Sequence, residues 1–202
     1  SRRRSIIDII DNGYDEKSLD FANRKLAVND LSKKTIVYLG SFAVDRSIDH
    51  LLESNNTLGI PFNILHIGKK LEGLELKDGV TCTGLIPYTD AVSYAKGADI
   101  GLILASGKEF ESTTKIFDYI GLELPILIIT NGKIKTGNIH SVTQYYPKVW
   151  WAENTASSIT STLKEILSEE LSVDQGQFAK EKYSRKHGLS MLASYIDQEN
   201  NA

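Results

Sequence analysis

The chain has few of the residues that mark several common classes of protein. Its 202 residues include one cysteine, Cys82, one methionine and four prolines. A single cysteine excludes an internal disulfide and fits a reducing compartment. Acidic and basic residues nearly balance, at a net charge of −3, so nucleic acid is not an expected partner. No apolar run approaches the length that spans a bilayer, and no signal peptide begins the chain, so we predict a cytoplasmic protein.

Residue patterns of common catalytic and metal sites are also missing. The four histidines and the cysteine have no metal-ligand spacing, so we expect neither a metal nor a cofactor. No G-x-S-x-G elbow, Walker A loop or G-x-G-x-x-G fingerprint occurs, which leaves hydrolase, nucleoside triphosphatase and dinucleotide-binding functions without support. His66 falls inside an apolar run, and we predict that it is a packed core residue rather than a ligand.

The sequence does contain an alternation of short apolar runs and helical patterns. Its length and its hydrophobic content of 41% fit a soluble α/β domain. Short apolar runs of this kind are typical of strands that are buried on both faces of a parallel sheet. We therefore predict an α/β fold, an open parallel sheet with helices on both faces. Its strands are expected at residues 35–39, 62–68, 80–84, 100–104, 125–129 and 148–152.

Capping residues predict where two of the helices begin. Asp45 or Ser47 is expected to cap the helix after the first strand, and Thr89 or Asp90 the helix before residue 100. The tail of the chain has an amphipathic pattern, with a break expected near His187-Gly188.

The segment 105–130 is the most informative part of the chain. A polar loop follows a buried strand, and Ser112, Thr113 and Thr114 are candidate caps of the next helix. In an open parallel sheet such a loop lies at the carboxyl edge, where ligands of this fold class bind. The unpaired N–H groups of a helix start suit a phosphate, and Lys115 adds a positive charge there. Asp118, one turn further on, could accept both hydroxyls of a ribose, so we predict a nucleotide site.

The same segment resembles the donor-binding segment of GT-B glycosyltransferases, in particular the family 4-like retaining enzymes. In that family a motif close to P-x-K-x-x-E-Y precedes a strand that begins with proline. Lys115, Asp118 and Tyr119 fall on the Lys, Glu and Tyr of the motif, and Pro125 begins the strand. The aspartate is one methylene shorter than the family's ribose-binding glutamate. The resemblance implies a Rossmann-like domain, the C-terminal half of a GT-B fold.

A second motif supports this resemblance near the start of the sequence. Residues Ile10, Asn12, Gly13 and Asp15 match most of the I-x-N-G-V-D segment by which family members cross from their first domain to their second. The resemblance then implies three parts: residues 1–20 as an interdomain linker, 21–175 as the nucleotide-sugar-binding domain, and 176–202 as helices that pack back toward an N-terminal acceptor domain outside this sequence.

Further site residues are implied by the resemblance. The turn after the first strand has the family form G-R-x-x-x-x-K-G, whose Arg and Lys grip the donor diphosphate. Aligned from Gly40, the Arg position is Ser41 and the Lys position is Arg46, which is otherwise a solvated helix residue. The loop after the third strand is expected to meet the nucleotide base through Ile86, Pro87 and Tyr88. For Tyr88, a hydrophobic staple of the next helix is the alternative.

Two carboxylates of the central loop are candidate catalytic residues. Glu109 and Glu111 flank the position at which the family places the first glutamate of an E-x7-E motif, which faces the donor sugar. Counting back from Asp118 puts Phe110 at that position, so neither glutamate is in register. One of them could reach the sugar through a shift of the loop, and the alternative is a pair of solvated loop acids.

The function implied by the resemblance is transfer of a sugar from a nucleotide-diphosphate donor of the UDP or GDP type. The acceptor would be a glycan or a lipid-linked molecule in bacterial surface-polysaccharide synthesis, which places the protein in the cytoplasm, at or near the inner face of the membrane. GT-B enzymes generally need no catalytic metal. Two alternatives stay open: a non-hydrolysing sugar-nucleotide epimerase, and a non-catalytic binding module of the same fold.

Overall fold

The computed structural model describes residues 9–26, 33–42, 47–59, 62–69, 79–169 and 176–200. Its sheet has six parallel strands in the order β3-β2-β1-β4-β5-β6. This arrangement confirms the predicted open parallel sheet of an α/β fold. The strands are β1 (Thr35–Leu39), β2 (Asn63–Ile67), β3 (Val80–Cys82), β4 (Ile100–Ala105), β5 (Ile126–Thr130) and β6 (Val149–Glu153).

Helices cover both faces of this sheet, and each face has its own hydrophobic core. Side chains alternate along β1, so Val37 and Leu39 face one core while Ile36 and Tyr38 face the other. Leu51 of α2 and Leu163 of α6 belong to the second core. The described helices are α1 (Glu16–Phe21), α2 (Asp49–Thr57), α3 (Tyr88–Gly97), α4 (Lys115–Gly121), α5 (Gly137–Thr143), α6 (Ala156–Ser168), α7 (Gln177–Lys182) and α8 (Arg185–Asn200).

Two predicted helix starts need correction. The α2 helix begins at Asp49 after the cap residue Ile48, so Ser47 lies one residue before the cap, although its Oγ accepts the N–H of Asp49 at 3.1 Å. Asp45 lies outside the described residues. The α3 helix begins at Tyr88 after the cap residue Pro87, so Thr89 lies inside the helix. Proline is favourable there because a helix start has no use for its missing N–H.

The predicted break of the tail at His187-Gly188 is wrong, because both residues lie within α8. The break falls at Tyr183–Ser184, between α7 and α8. There the backbone leaves the helix to pair with the start of the chain: Tyr14 N–H donates to Tyr183 O at 3.0 Å, and Arg185 N–H donates to Tyr14 O at 3.1 Å. The tail therefore lies against residues of the predicted linker.

Within the described ranges, no helix combines the length and the apolar composition that a membrane crossing requires.

The strand order defines where a ligand can bind. The chain winds from β1 to β2 and β3 in one direction, and from β4 to β5 and β6 in the other. Neighbouring strands β1 and β4 are in register at only two pairs, Ile36 with Ile100 and Val37 with Gly101. Such a reversal opens a crevice outside the carboxyl ends of the two strands, where ligands of open α/β sheets bind.

Candidate functional site

A cleft of about 410 Å³ lies at this reversal point. Its volume is within the range of small-molecule sites. The turn after β1 and the loop after β4 form its walls, so predicted site residues that are far apart in sequence come together. The lining residues are Gly40, Ser41, Leu104, Glu111, Ser112, Thr113, Thr114 and Lys115. Arg46, the other predicted phosphate ligand, lies outside the described residues.

Tyr119 of α4 packs against the strands that end at the cleft. Its ring is fully buried against Gly101, where a Cβ would lie 2.6 Å from the ring. Its hydroxyl accepts the N–H of Leu39 at 3.1 Å and donates to the carbonyl oxygen of Val37 at 3.1 Å. Beyond the two positions at which β1 and β4 pair directly, the phenol links Leu39 of β1 to Leu102 of β4, whose carbonyl oxygen lies 3.3 Å from the hydroxyl, and it ties α4 to the end of β1. Burial raises the pKa of Tyr119, so the phenol remains protonated.

Lys115 supplies a positive charge to the cleft. Its Nζ lies 4.2 Å from the centroid of the Tyr38 ring. A Cβ on Gly40 would lie 2.7 Å from the same nitrogen, so a larger residue at position 40 would displace the lysine. Gly40 also has φ +127°, a backbone conformation that glycine adopts without strain. The glycine therefore serves both the turn and the placement of the ammonium group.

The start of α4 differs in detail from the prediction. Thr114 is the residue before the helix, and its side chain makes no capping hydrogen bond. Ser112 and Thr113 precede it in the loop and line the cleft. The segment therefore lines the cleft, and the hydroxyl group of Thr114 does not cap the helix.

Asp118 and Tyr88 meet one helical turn beyond Lys115, outside the residues that line the cleft. The Tyr88 hydroxyl donates to Asp118 Oδ1 at 2.6 Å, although the two residues are 30 positions apart. Burial raises the pKa of Asp118, and the hydrogen bond from Tyr88 opposes that rise. Burial and the neighbouring carboxylate also raise the pKa of Tyr88, which keeps the proton on the phenol. The predicted ribose-binding carboxylate is thus already engaged by a predicted base contact.

The other base-contact candidates lie on the same loop. Pro87 is exposed and precedes α3, and Ile86 is half-buried against the core. The staple alternative places Tyr88 before the helix, whereas the helix begins at Tyr88.

The two candidate catalytic glutamates lie in different surroundings. Glu111 lines the cleft, and its Oε2 accepts the N–H of Ser106 at 2.7 Å and the hydroxyl of Ser106 at 2.9 Å. Glu109 is exposed, and its backbone oxygen accepts the N–H of Asn138 at 2.9 Å. Phe110 between them is 83% exposed. Of the two acids, Glu111 is the one placed beside the cleft.

His66 lies directly under the turn after β1, although it was predicted as a core residue and not as a residue of the site. Its side chain is fully buried, as predicted for a core residue, and its Nε2 lies 2.6 Å from the Gly40 oxygen. The only sequence signal is a polar residue within an apolar strand. Its partner could not be identified without the strand order.

Comparisons with known proteins give the fold. No family sequence profile and no curated protein matches the chain. The solved structure of Anabaena Alr3699/HepE in complex with UDP and glucose has a TM-score of 0.69 at 9% identity, over 94% of this chain and 56% of that one. The glycosyltransferase SnogD from Streptomyces nogalater gives 0.51 at 10% identity, over 86% and 48%.

A third similar structure is the UDP-GlcNAc 2-epimerase of Methanocaldococcus jannaschii in complex with UDP-GlcNAc and UDP. Its TM-score is 0.52 at 8% identity, over 81% of this chain and 46% of that one. The chain thus spans about half the length of these solved structures. At such low identity the likeness shows the fold alone. The chain has the Rossmann-like fold that these sugar-nucleotide enzymes share, and the predicted fold class is confirmed.

Proposed function

We propose that the chain is the nucleotide-sugar-binding half of a glycosyltransferase. The observation that carries this proposal is the cleft at the strand-order reversal, with the Gly40-Ser41 turn on one wall and Lys115 on the other. Solved structures of the same fold contain UDP with a sugar or with UDP-GlcNAc, which supports a nucleotide-sugar ligand. Transfer to an acceptor would require a second domain, because this chain covers about half of each such structure.

The proposed donor site has two ends. We assign the diphosphate to the turn at Gly40-Ser41 together with residues 112–115, because Lys115 is the cationic residue among those that line the cleft. We assign the ribose to Asp118. For its carboxylate to bind both ribose hydroxyls, Tyr88 must release Oδ1 and move toward the base.

The chemical step places charge at the phosphate end. When the sugar leaves the donor, negative charge develops on the nucleoside diphosphate, and Lys115 would stabilise it across the cleft. Glu111 is the candidate acid beside the sugar, since it lines the cleft while Glu109 is exposed. The acceptor, a glycan or lipid-linked molecule of surface-polysaccharide synthesis at the inner face of the membrane, belongs to the same proposal.

The epimerase alternative is less well supported by the site. Epimerisation without hydrolysis would need acid and base groups beside the sugar, and His66 is the histidine that lies under this cleft. Both of its ring nitrogens face partners within the protein, Cys82 Sγ and Gly40 O, and its side chain is fully buried. It therefore has no free nitrogen with which to move a substrate proton. Sugar transfer by the full-length protein would separate the enzyme from a non-catalytic module.

The first test is thermal denaturation of the chain with UDP, GDP and ADP. A ligand at about a hundred times its dissociation constant adds about 2.7 kcal/mol of stability, which visibly raises the melting temperature. We expect one of the three nucleotides to do so, and the same nucleotide to act much more weakly on Lys115→Ala. Lys164→Ala removes an exposed lysine of α6 and is the matched control. A melting temperature unmoved by all three at millimolar concentration would contradict the proposal.

A further inference from the structure

His66 is held by contacts to both of its ring nitrogens. Nε2 lies 2.6 Å from the carbonyl oxygen of Gly40, and Nδ1 lies 3.1 Å from Cys82 Sγ. Because a carbonyl oxygen can only accept, Nε2 carries the proton. Burial lowers the pKa of His66, which favours the neutral ring. In that tautomer Nδ1 accepts from the Cys82 thiol, so the contacts form a chain from the thiol through the ring to Gly40.

Aromatic neighbours fix the plane of the imidazole ring. The Phe42 ring centroid lies 4.0 Å from that of His66, and the Tyr38 centroid lies 5.8 Å away. The strand register places His66 beside Tyr38 on one neighbouring strand and beside Cys82 on the other. The group that donates to the Gly40 carbonyl is thus the fully buried side chain of His66, and its neighbours leave the ring one orientation.

The turn above the ring is fixed through its backbone carbonyls. The Gly40 carbonyl accepts from His66, and the Ser41 carbonyl accepts from the Tyr38 hydroxyl at 3.1 Å. A Cβ on Gly68 would overlap the Gly40 oxygen, so Gly68 leaves the space that this carbonyl fills. Both carbonyls of the turn are therefore bound to side chains of the sheet.

The direction of the Gly40 carbonyl determines the direction of the next N–H group. A trans peptide is planar, and its C=O and N–H bonds point in opposite directions. When Gly40 C=O points at His66, the N–H of Ser41 points away from the ring. Ser41 lines the cleft, and it aligns with the arginine of the G-R-x-x-x-x-K-G turn that the chain resembles.

We propose that His66 is a positioning residue for the diphosphate, acting through the Gly40 carbonyl to aim the Ser41 N–H at a phosphate oxygen. This inference rests on the proposed function and names a backbone donor in the place where the resemblance expects a guanidinium group. It separates two properties of the donor: the diphosphate depends on His66, and the nucleoside, bound at Asp118, does not.

The test measures the affinities of UDP and uridine by calorimetric titration for the unmodified chain, His66→Phe and His66→Gln. If the chain binds GDP or ADP instead, guanosine or adenosine replaces uridine. His66→Phe keeps a flat ring and removes the donor to Gly40. We expect its affinity for UDP to fall about tenfold, the effect of one hydrogen bond to a charged group, with uridine affinity unchanged. His66→Gln places an amide N–H near the position of Nε2, and we expect it to restore UDP affinity.

The outcomes distinguish a positioning role from a general structural one. Equal losses for UDP and uridine, a His66→Gln variant as weak as His66→Phe, or no loss in either would overturn the inference. If the unmodified chain binds none of these ligands, the proposed function fails. In that case hydrogen exchange of the Ser41 amide, which needs no ligand, decides the positioning step: faster exchange in His66→Phe than in His66→Gln supports it, and equal rates overturn it.

Discussion

The two parts of the proposed donor site are built in different ways. At the phosphate end, the Gly40-Ser41 turn is held by buried side chains of the sheet, His66 and Tyr38, and Tyr119 ties the opposite wall to β1. At the proposed nucleoside end, the half-buried Asp118 accepts a hydrogen bond from Tyr88, whose side chain is 44% exposed at the start of α3. A turn that is bound to buried side chains has little freedom to adjust, whereas an exposed side chain can change its rotamer readily.

This difference predicts that the two parts of the site contribute differently to the affinity for a nucleotide and to the choice of base. The phosphate end already has the shape in which it would hold a diphosphate, so little free energy is lost in ordering it. At the proposed nucleoside end, the hydrogen bond from Tyr88 to Asp118 Oδ1 competes with ribose for one of the two carboxylate oxygens. Selection among bases is therefore expected to depend on loop residues 85–88, and affinity to depend on the rigid turn.

The largest expected effect tests the rigidity of the phosphate end. Gly68→Ala places a Cβ against the Gly40 oxygen at a residue with φ +155°. We expect the free energy of unfolding to fall by about 3 kcal/mol, from overpacking and backbone strain together. Urea denaturation measures it.

Gly59→Ala is the control for this substitution. Gly59 has φ +67°, and a Cβ there would meet nothing within 4 Å. The Gly59→Ala variant therefore measures the strain of a positive φ alone, which we expect to lower the free energy of unfolding by about 1 kcal/mol. Equal losses for the two variants would mean that the contact between Gly68 and Gly40 contributes nothing.

The second prediction concerns Asp118, the half-buried carboxylate of the proposed nucleoside end. Asp118→Asn keeps an oxygen that can accept from Tyr88 and removes the charge, so we expect nucleotide affinity to fall by about tenfold or more. The pKa of Asp118 is raised from its ordinary value of 3.8, chiefly by burial. An acid with a raised folded-state pKa stabilises the fold below its unfolded pKa, and this stability is lost as pH rises through the folded pKa.

At neutral pH, Asp118→Asn should therefore bind nucleotide less well and melt no lower than the unmodified chain. Asp20→Asn, on the exposed side of α1, is the control. Calorimetric titration and thermal denaturation measure the two properties. A variant that melts lower while its nucleotide affinity is unchanged would make Asp118 a structural residue.

A third prediction tests whether Lys115 belongs to the phosphate end. Lys115→Ala should weaken the binding of a nucleoside diphosphate about tenfold and leave that of the corresponding nucleoside unchanged, because the proposed site assigns the ammonium group to the phosphates alone. Calorimetric titration of both ligands measures the two affinities. An equal loss for the nucleoside would show that the two parts of the proposed site are not separate.

The smallest effect is expected from Tyr88→Phe. This substitution removes the hydroxyl that competes with ribose for Asp118 and leaves the ring for contact with the base. We expect nucleoside affinity to rise by about a factor of three, since the competing hydrogen bond has a small net value in water-exposed surroundings. Titration with the nucleoside measures it. A weaker affinity would instead mean that the hydroxyl itself contacts the ligand.

The sequence predicted the central segment well because its signals are local. The strands β4 and β5 are continuous apolar runs that end in polar loops, and the observed bounds differ from the prediction by one residue. Local pattern and motif spacing are sufficient for such features, since each depends on a few neighbouring residues.

Features that depend on distant partners were not predicted. The tail breaks at Tyr183–Ser184 because residues near Tyr14 pair with it, more than 160 positions earlier. The short helix α1 begins at Glu16 after the cap residue Asp15, whose side chain accepts the N–H of Lys17, and its six residues show little periodicity. The bonds between His66 and Gly40 and between Tyr88 and Asp118 join segments 26 and 30 residues apart. Only the folded sheet brings these partners together.

The central claim is that the cleft binds a nucleoside diphosphate with a preformed phosphate end and an adjustable nucleoside end. Titration of the isotopically labelled chain, at 22.4 kDa, with UDP, GDP or ADP by nuclear magnetic resonance tests it most directly. We predict that the amide signals of Ser41 and of residues 112–115 shift together with those of residues 86–88, and that uridine or its counterpart moves only the second group. Shifts confined to other parts of the chain, or no shift with any nucleotide, would contradict the claim.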